Sequence, residues 1–209
     1  MAIQKRSELR RVPTQERALE TYRLIVSVGS QVLAEHGYPA CSTDRIAKHA
    51  QVSKATVYQY FADKDEIMSA VADSVSAEIF SEIGSAVDLG AERPPTAAAE
   101  LVLTAAFDAI DRHRVVLARL STEVPHIDVL TALDQIVDRS TDIARAHIAA
   151  NPRGFRSGID AEAVLYVLLG AARTVLLGYV RGDVPLSRER LKAAFVDVCV
   201  ATLAPPAHQ

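Results

Sequence analysis

The stretch DRIAKHAQVSKATVYQYF, residues 44–61, leaves few folds open to the chain that contains it. Its apolar residues fall at helical spacing on either side of Gln51, Val52 and Ser53. Ser42 or Thr43 supplies an N-cap for a first short helix, whose inward face is Ile46, Ala47 and Ala50. Ser53 caps a second that runs to about Tyr60. Ala47 is small where the two helices would cross, Val52 plugs the turn, and Val57 packs back against Ile46 and Ala50. Two short helices on a three-residue turn make a helix-turn-helix. With those positions inward, Lys54, Ala55, Thr56, Tyr58, Gln59 and Tyr60 point outward or along the rim. The second helix therefore spends nearly every outward position on a group that can bond an anion or a base edge.

The flanks are helical as well. Ala18, Tyr22, Ile25, Val26, Gly29, Val32 and Leu33 predict a long helix capped at Thr14 and ended by Gly37 as a C′ glycine. Beyond the motif, Ile67, Val71, Val75, Ile79 and Ile83 recur every fourth residue from a start at Lys64, the mark of a long amphipathic helix. AVDLGAERPPT, residues 86–96, is the expected break. Further helical segments follow near 96–112, 114–122, 127–150, 160–181 and 187–203. With no strand-like alternation, the expectation is an all-α chain of about nine helices. Its parts are a basic arm at 1–13, a helix-turn-helix domain at 14–66 and a helical domain at 67–205.

Net charge is −3, which conceals an asymmetry. Residues 1–68 hold ten Lys and Arg against eight Asp and Glu, leaving thirteen against eighteen for the remainder. Positive charge thus gathers at the end that carries the helix-turn-helix, where it can steer toward a polyanion. Cys41 and Cys199 lie far apart without metal-ligand spacing, so both are read as reduced thiols of a cytoplasmic protein, with no metal and no cofactor. Residues 161–180 are long and apolar enough to span a membrane, but Glu162 and Arg173 argue for a helix buried in protein instead. Catalysis is not expected, since no phosphate loop, metalloprotease motif or nucleophile elbow occurs.

The run EHGYPACSTDRIAKHAQVSKATVYQYFADKDEIM, residues 35–68, resembles the TetR family of transcriptional regulators, a likeness that extends from about Leu24. The resemblance implies a helix-turn-helix that binds double-stranded DNA at a palindromic operator. Thr43 and Ser53, at helix N-termini, would face phosphates. Lys54, Tyr58, Tyr60 and Lys64 resemble the family's contacts to the DNA backbone, which fix register. Thr56 and Gln59 are the choice for base edges, Gln pairing with adenine and the Thr methyl meeting a thymine methyl. Ala55 permits close approach, and Arg6, Arg10 and Arg11 of the arm would reach a minor groove. One departure is Gln51, where the family's turn usually has Gly at positive φ, at a cost of about 1–2 kcal/mol.

The family resemblance also implies a homodimer, built here from the helices near 160–181 and 187–203. Gly170, Ala171, Ala172 and Gly178 permit close contact on the first, and Leu191, Ala194, Phe195, Val198 and Leu203 line the second. It implies a small-molecule effector of unknown identity, for which Phe107, His147, Tyr166 and Arg173 are candidate lining residues. Arg173 sits in an apolar helix and needs water, an anionic ligand or a carboxylate such as Asp142 or Glu162. The competing reading is a helical protein-interaction module that uses the helix-turn-helix without DNA.

Overall fold

The computed structural model describes residues 16–90, 92–124, 127 and 152–205, with parts of 141–150. Seven α-helices have both ends among them: α1 Glu16–His36, α2 Thr43–His49, α3 Lys54–Tyr60, α4 Lys64–Gly90, α5 Pro95–Glu123, α6 Ala161–Arg181 and α7 Arg188–Leu203. Two single 3-10 turns accompany them, Tyr38–Ala40 and Pro152–Gly154. No strand occurs among the described residues. The expected cap Thr14, the basic arm and His147 lie outside the described residues, as does most of the segment anticipated at 127–150, which is helical at 141–142, 145–146 and 148–150.

The expected helices at 96–112 and 114–122 are a single one, α5. Nothing between them breaks a helix: His113 keeps its backbone N–H, and no Gly, Pro or capping residue stands beside it. The chain divides into two compact units. The first ends at Ser74 and takes in Arg119–Ile127; the second holds Val75–Ala118 and the chain after Ile127.

In the first unit, α1 turns Ile25, Val26, Val28, Gly29, Val32 and Leu33 inward. Ile46, Val57, Ile67, Met68 and Val71 join them with no more than traces of accessible surface. Each such side chain contributes about 1.5–3 kcal/mol by leaving water. The two helices α1 and α4 pack tightly at Gly29, where a Cβ would stand 2.8 Å from the Ile67 side chain. Gly37 ends α1, its N–H reaching the Leu33 carbonyl at 2.9 Å. Its φ of 74° and ψ of 166° depart from the left-handed helical conformation expected of a C′ residue. That region is open in practice only to glycine.

In the second unit, a polar cluster joins three helices. The Tyr179 hydroxyl of α6 donates to Asp111 of α5 at 2.7 Å, and Arg188, at the start of α7, donates to Asp111 at 2.9 Å and also to Asp108. Phe107 lies beneath it, edge-on to the Tyr179 ring at 5.4 Å.

The helix expected to be buried, α6, is covered only in part by its own chain. Leu165, Tyr179 and Val180 are buried, whereas Ala163, Tyr166, Val167, Gly170, Ala171 and Thr174 form an exposed stripe at helical spacing. It is the one described helix long and apolar enough to cross a membrane.

Candidate nucleic-acid interface

Hydroxyl caps set the geometry of the helix-turn-helix. Ser42, not Thr43, caps α2: its Oγ accepts from the Arg45 N–H at 3.1 Å. Ser53 caps α3, accepting from the Thr56 N–H at 3.0 Å, with the two hydroxyl oxygens 2.8 Å apart. Both residues have extended backbone. Between the helices Gln51 holds φ at 55°, so the turn keeps its left-handed conformation without a glycine. The Val52 N–H closes the turn on the Ala47 carbonyl at 3.0 Å.

Val57 is fully buried, and the exposed side of α3 presents Lys54, Ala55, Tyr58 and Gln59, with Thr56 half-buried beside Ser53. Two contacts tie this face to the first turn of α2. The Tyr58 and Thr43 hydroxyl oxygens are 3.3 Å apart, and Lys54 Nζ stands 2.7 Å from Asp44 Oδ1. The Asp44 carboxylate raises the Lys54 pKa, so the ammonium stays charged. Tyr60 turns away from this row: it is half-buried, edge-on to Tyr22 at 6.4 Å, while Phe61 stacks on Tyr22 at 5.0 Å.

Lys64 is placed at one side, by Tyr38. Its Nζ lies 3.8 Å from the Tyr38 ring centroid and 3.4 Å from the Tyr38 carbonyl oxygen. The Tyr38 hydroxyl donates to Asp65 at 2.5 Å, which pushes its pKa up to about 12 and keeps the phenol protonated. The Tyr38 N–H donates to Glu123 Oε2 at 2.8 Å, and Glu123 pairs with Arg119 at 2.5 Å. Arg119, followed by Tyr38, holds the Glu123 carboxyl below its ordinary range. A Cβ on Gly37 would stand 2.7 Å from Glu123 Oε2 and 2.9 Å from Arg119 Nη1. Tyr38 thereby joins the turn after α1, the first turn of α4 and the last turn of α5.

The family model described as bacterial regulatory proteins, tetR family, matches residues 25–71, which cover α1 from Ile25, α2, α3 and the start of α4. The HTH-type transcriptional regulator TtgW of Pseudomonas putida is 33% identical over 97 residues, 46% of this chain and 68% of that protein. The chain belongs to the TetR family. With three other curated relatives the match is shorter and spans 19–26% of their length, whereas the HTH-type regulator YhgD of Bacillus subtilis is 21% identical over 180 residues, 92% of its length. A TetR-family regulator structure from Mesorhizobium loti superposes with a TM-score of 0.74 at 16% identity, covering 91% of this chain and 100% of that one. The FadR regulator of Bacillus subtilis, solved with stearoyl-CoA, gives 0.65 at 17% identity over 87% and 98%. Both show that the fold is shared.

Of the four residues expected to line an effector site of this TetR-family chain, Phe107 is on α5, and Tyr166 and Arg173 are on α6. Phe107 is buried, whereas Tyr166 is 79% exposed. Arg173 is half-buried, and His147 lies outside the described residues. Asp142 and Glu162, the carboxylates named for Arg173, stand 3.2 Å and 3.6 Å from Arg145. Both cysteines are free thiols, Cys41 buried and Cys199 partly so. Asp44, Tyr38, Arg119 and Glu123 were not anticipated from sequence. Only Asp44 had a local signal, as an acid in the first turn of α2.

Proposed function

We propose that this TetR-family chain is a sequence-specific DNA-binding transcriptional regulator, a cytoplasmic homodimeric repressor that leaves a palindromic operator when a small molecule binds. The observation that carries the reading is the face of α3: Lys54, Ala55, Tyr58 and Gln59 exposed above a fully buried Val57. Ser53, Lys54, Tyr58 and Lys64, with Thr43 and Tyr60 at the rim, would meet phosphates, while Gln59 and Thr56 would meet base edges beside Ala55. Residues 14–66 would serve as the DNA-binding domain, and 67–205 as the ligand-binding and dimerisation domain. The exposed apolar stripe of α6, with Ala194 and Val198 exposed on α7, supports pairing with a second copy.

The complex of FadR with stearoyl-CoA supports a small-molecule effector here without naming it. Among the expected lining residues that are described, Arg173, half-buried, has the burial that suits such a role. Release of DNA would follow from tighter ligand binding to the form whose recognition helices are wrongly spaced.

A binding titration with the duplex upstream of the protein's own gene, at two salt concentrations, tests the function. Phosphate contacts release counterions, so the logarithm of affinity falls by about 0.9 per contact for each decade of salt. Gln59→Ala is expected to weaken the operator far more than random duplex. Salt-insensitive association, or none, would favour the protein-interaction module instead.

A further inference from the structure

The Lys54–Asp44 pair is an unusual feature to find on a surface meant for a polyanion. The two groups are 2.7 Å apart and both more than half exposed. Exposed pairs of this kind contribute little to folding, and α2 and α3 are already joined by Ile46, Ala47 and Val57 in the core. The pair therefore has small structural value. Its effect on an approaching duplex is larger, because a phosphate and the Asp44 carboxylate seek the same ammonium. Once a phosphate takes Lys54, Asp44 is left without its cation beside like charge. From Thr43 to Tyr60 the chain has Arg45, Lys48 and Lys54 against Asp44 alone, so this carboxylate cancels one of three cations on the segment.

We propose that Asp44 is a built-in competitor for Lys54 which DNA must displace, and that it holds down affinity for duplex of any sequence. This rests on the DNA-binding reading above. Asp44 lies one residue from Thr43, whose hydroxyl meets Tyr58, and the Tyr58 ring centroid is 5.8 Å from Lys54 Nζ. Displacement would thus free the Lys54 ammonium at the rim of the face that Tyr58 and Gln59 share.

The experiment uses the full chain and two duplexes, a selected operator and one of random sequence, across a salt series. Asp44→Asn is expected to tighten binding to random duplex about three- to tenfold at low salt and to steepen the salt slope by up to about one phosphate's worth. Asp44→Glu, which keeps the charge, should stay near wild type. In a Lys54→Gln background the gain from Asp44→Asn should largely disappear. Asp44→Asn binding that is unchanged would overturn the proposal. So would weaker binding confined to the operator, the signature of a carboxylate reading a cytosine amino group. A full gain retained in the Lys54→Gln background would also overturn it, since Asp44 would then act by general repulsion. If wild-type protein binds neither duplex, the DNA-binding reading itself fails, an outcome distinct from these. Matched melting curves for the variants establish that each is folded.

Discussion

Gln51 carries a backbone conformation that its side chain does not favour. At φ 55° a non-glycine residue costs about 1–2 kcal/mol, and the turn tolerates this because Ile46, Ala47 and Val57 pack beneath it. Gln51→Gly removes the strain but loosens the unfolded chain, which returns part of the gain. The expected result is stabilisation by about 0.5–1 kcal/mol in a denaturant titration, with DNA affinity little changed. Gln51 was legible beforehand through the family resemblance, whose turn usually has Gly at that position, where the backbone tends to positive φ. Gly37 was legible only as a helix end. That the Arg119–Glu123 ion pair of α5 stands where a Cβ at Gly37 would be is something no neighbouring residue announces.

Among the elements, α5 departs most from expectation, because its last turn belongs to the first unit. Leu120 and Val124 are buried there, and Glu123 holds the Tyr38 N–H from 85 residues away in sequence. The helix-turn-helix could be read from the 20 consecutive residues 42–61, with their caps and apolar positions. Such a distant partner leaves no periodic trace, which is why Tyr38, Arg119 and Glu123 escaped.

The Glu123 contact has a pH signature. Its carboxyl pKa lies below the ordinary 4.5 in the folded chain, so its contribution is complete above that value and fades as pH falls through the folded one. Glu123→Gln keeps an acceptor for Tyr38 but gives up the charge facing Arg119. The variant should be less stable at neutral pH by about 1 kcal/mol. It should also show a shallower loss of stability below about pH 4, followed by circular dichroism at stepped acidity.

For the molecule as a whole, the apolar stripe of α6 is the feature that a single copy leaves unsatisfied. Tyr166 and Val167 are 79% and 66% exposed, side by side with Gly170 and Ala171, where another helix could come close. Placing a charge there tests dimerisation without touching the first unit. Tyr166→Glu should shift sedimentation toward the monomer and weaken operator binding, because two linked half-site contacts become one. Melting of the first unit's helices should be little affected. The apolar length of α6 was visible in sequence, but which of its sides the chain would cover was not, since that depends on how α5 and α7 distribute their own residues.

The discontinuity of the first unit has a consequence for how the protein is made. A ribosome that has released residues through Ser74 has not yet supplied Arg119, Leu120, Glu123 or Val124, which complete that unit. Some 50 further residues, through Val124, must emerge first, and closing so long an excursion slows formation of the final contacts. Until then the N–H of Tyr38 lacks its Glu123 acceptor, and a shortened gene ending before α5 would yield an incompletely seated helix-turn-helix.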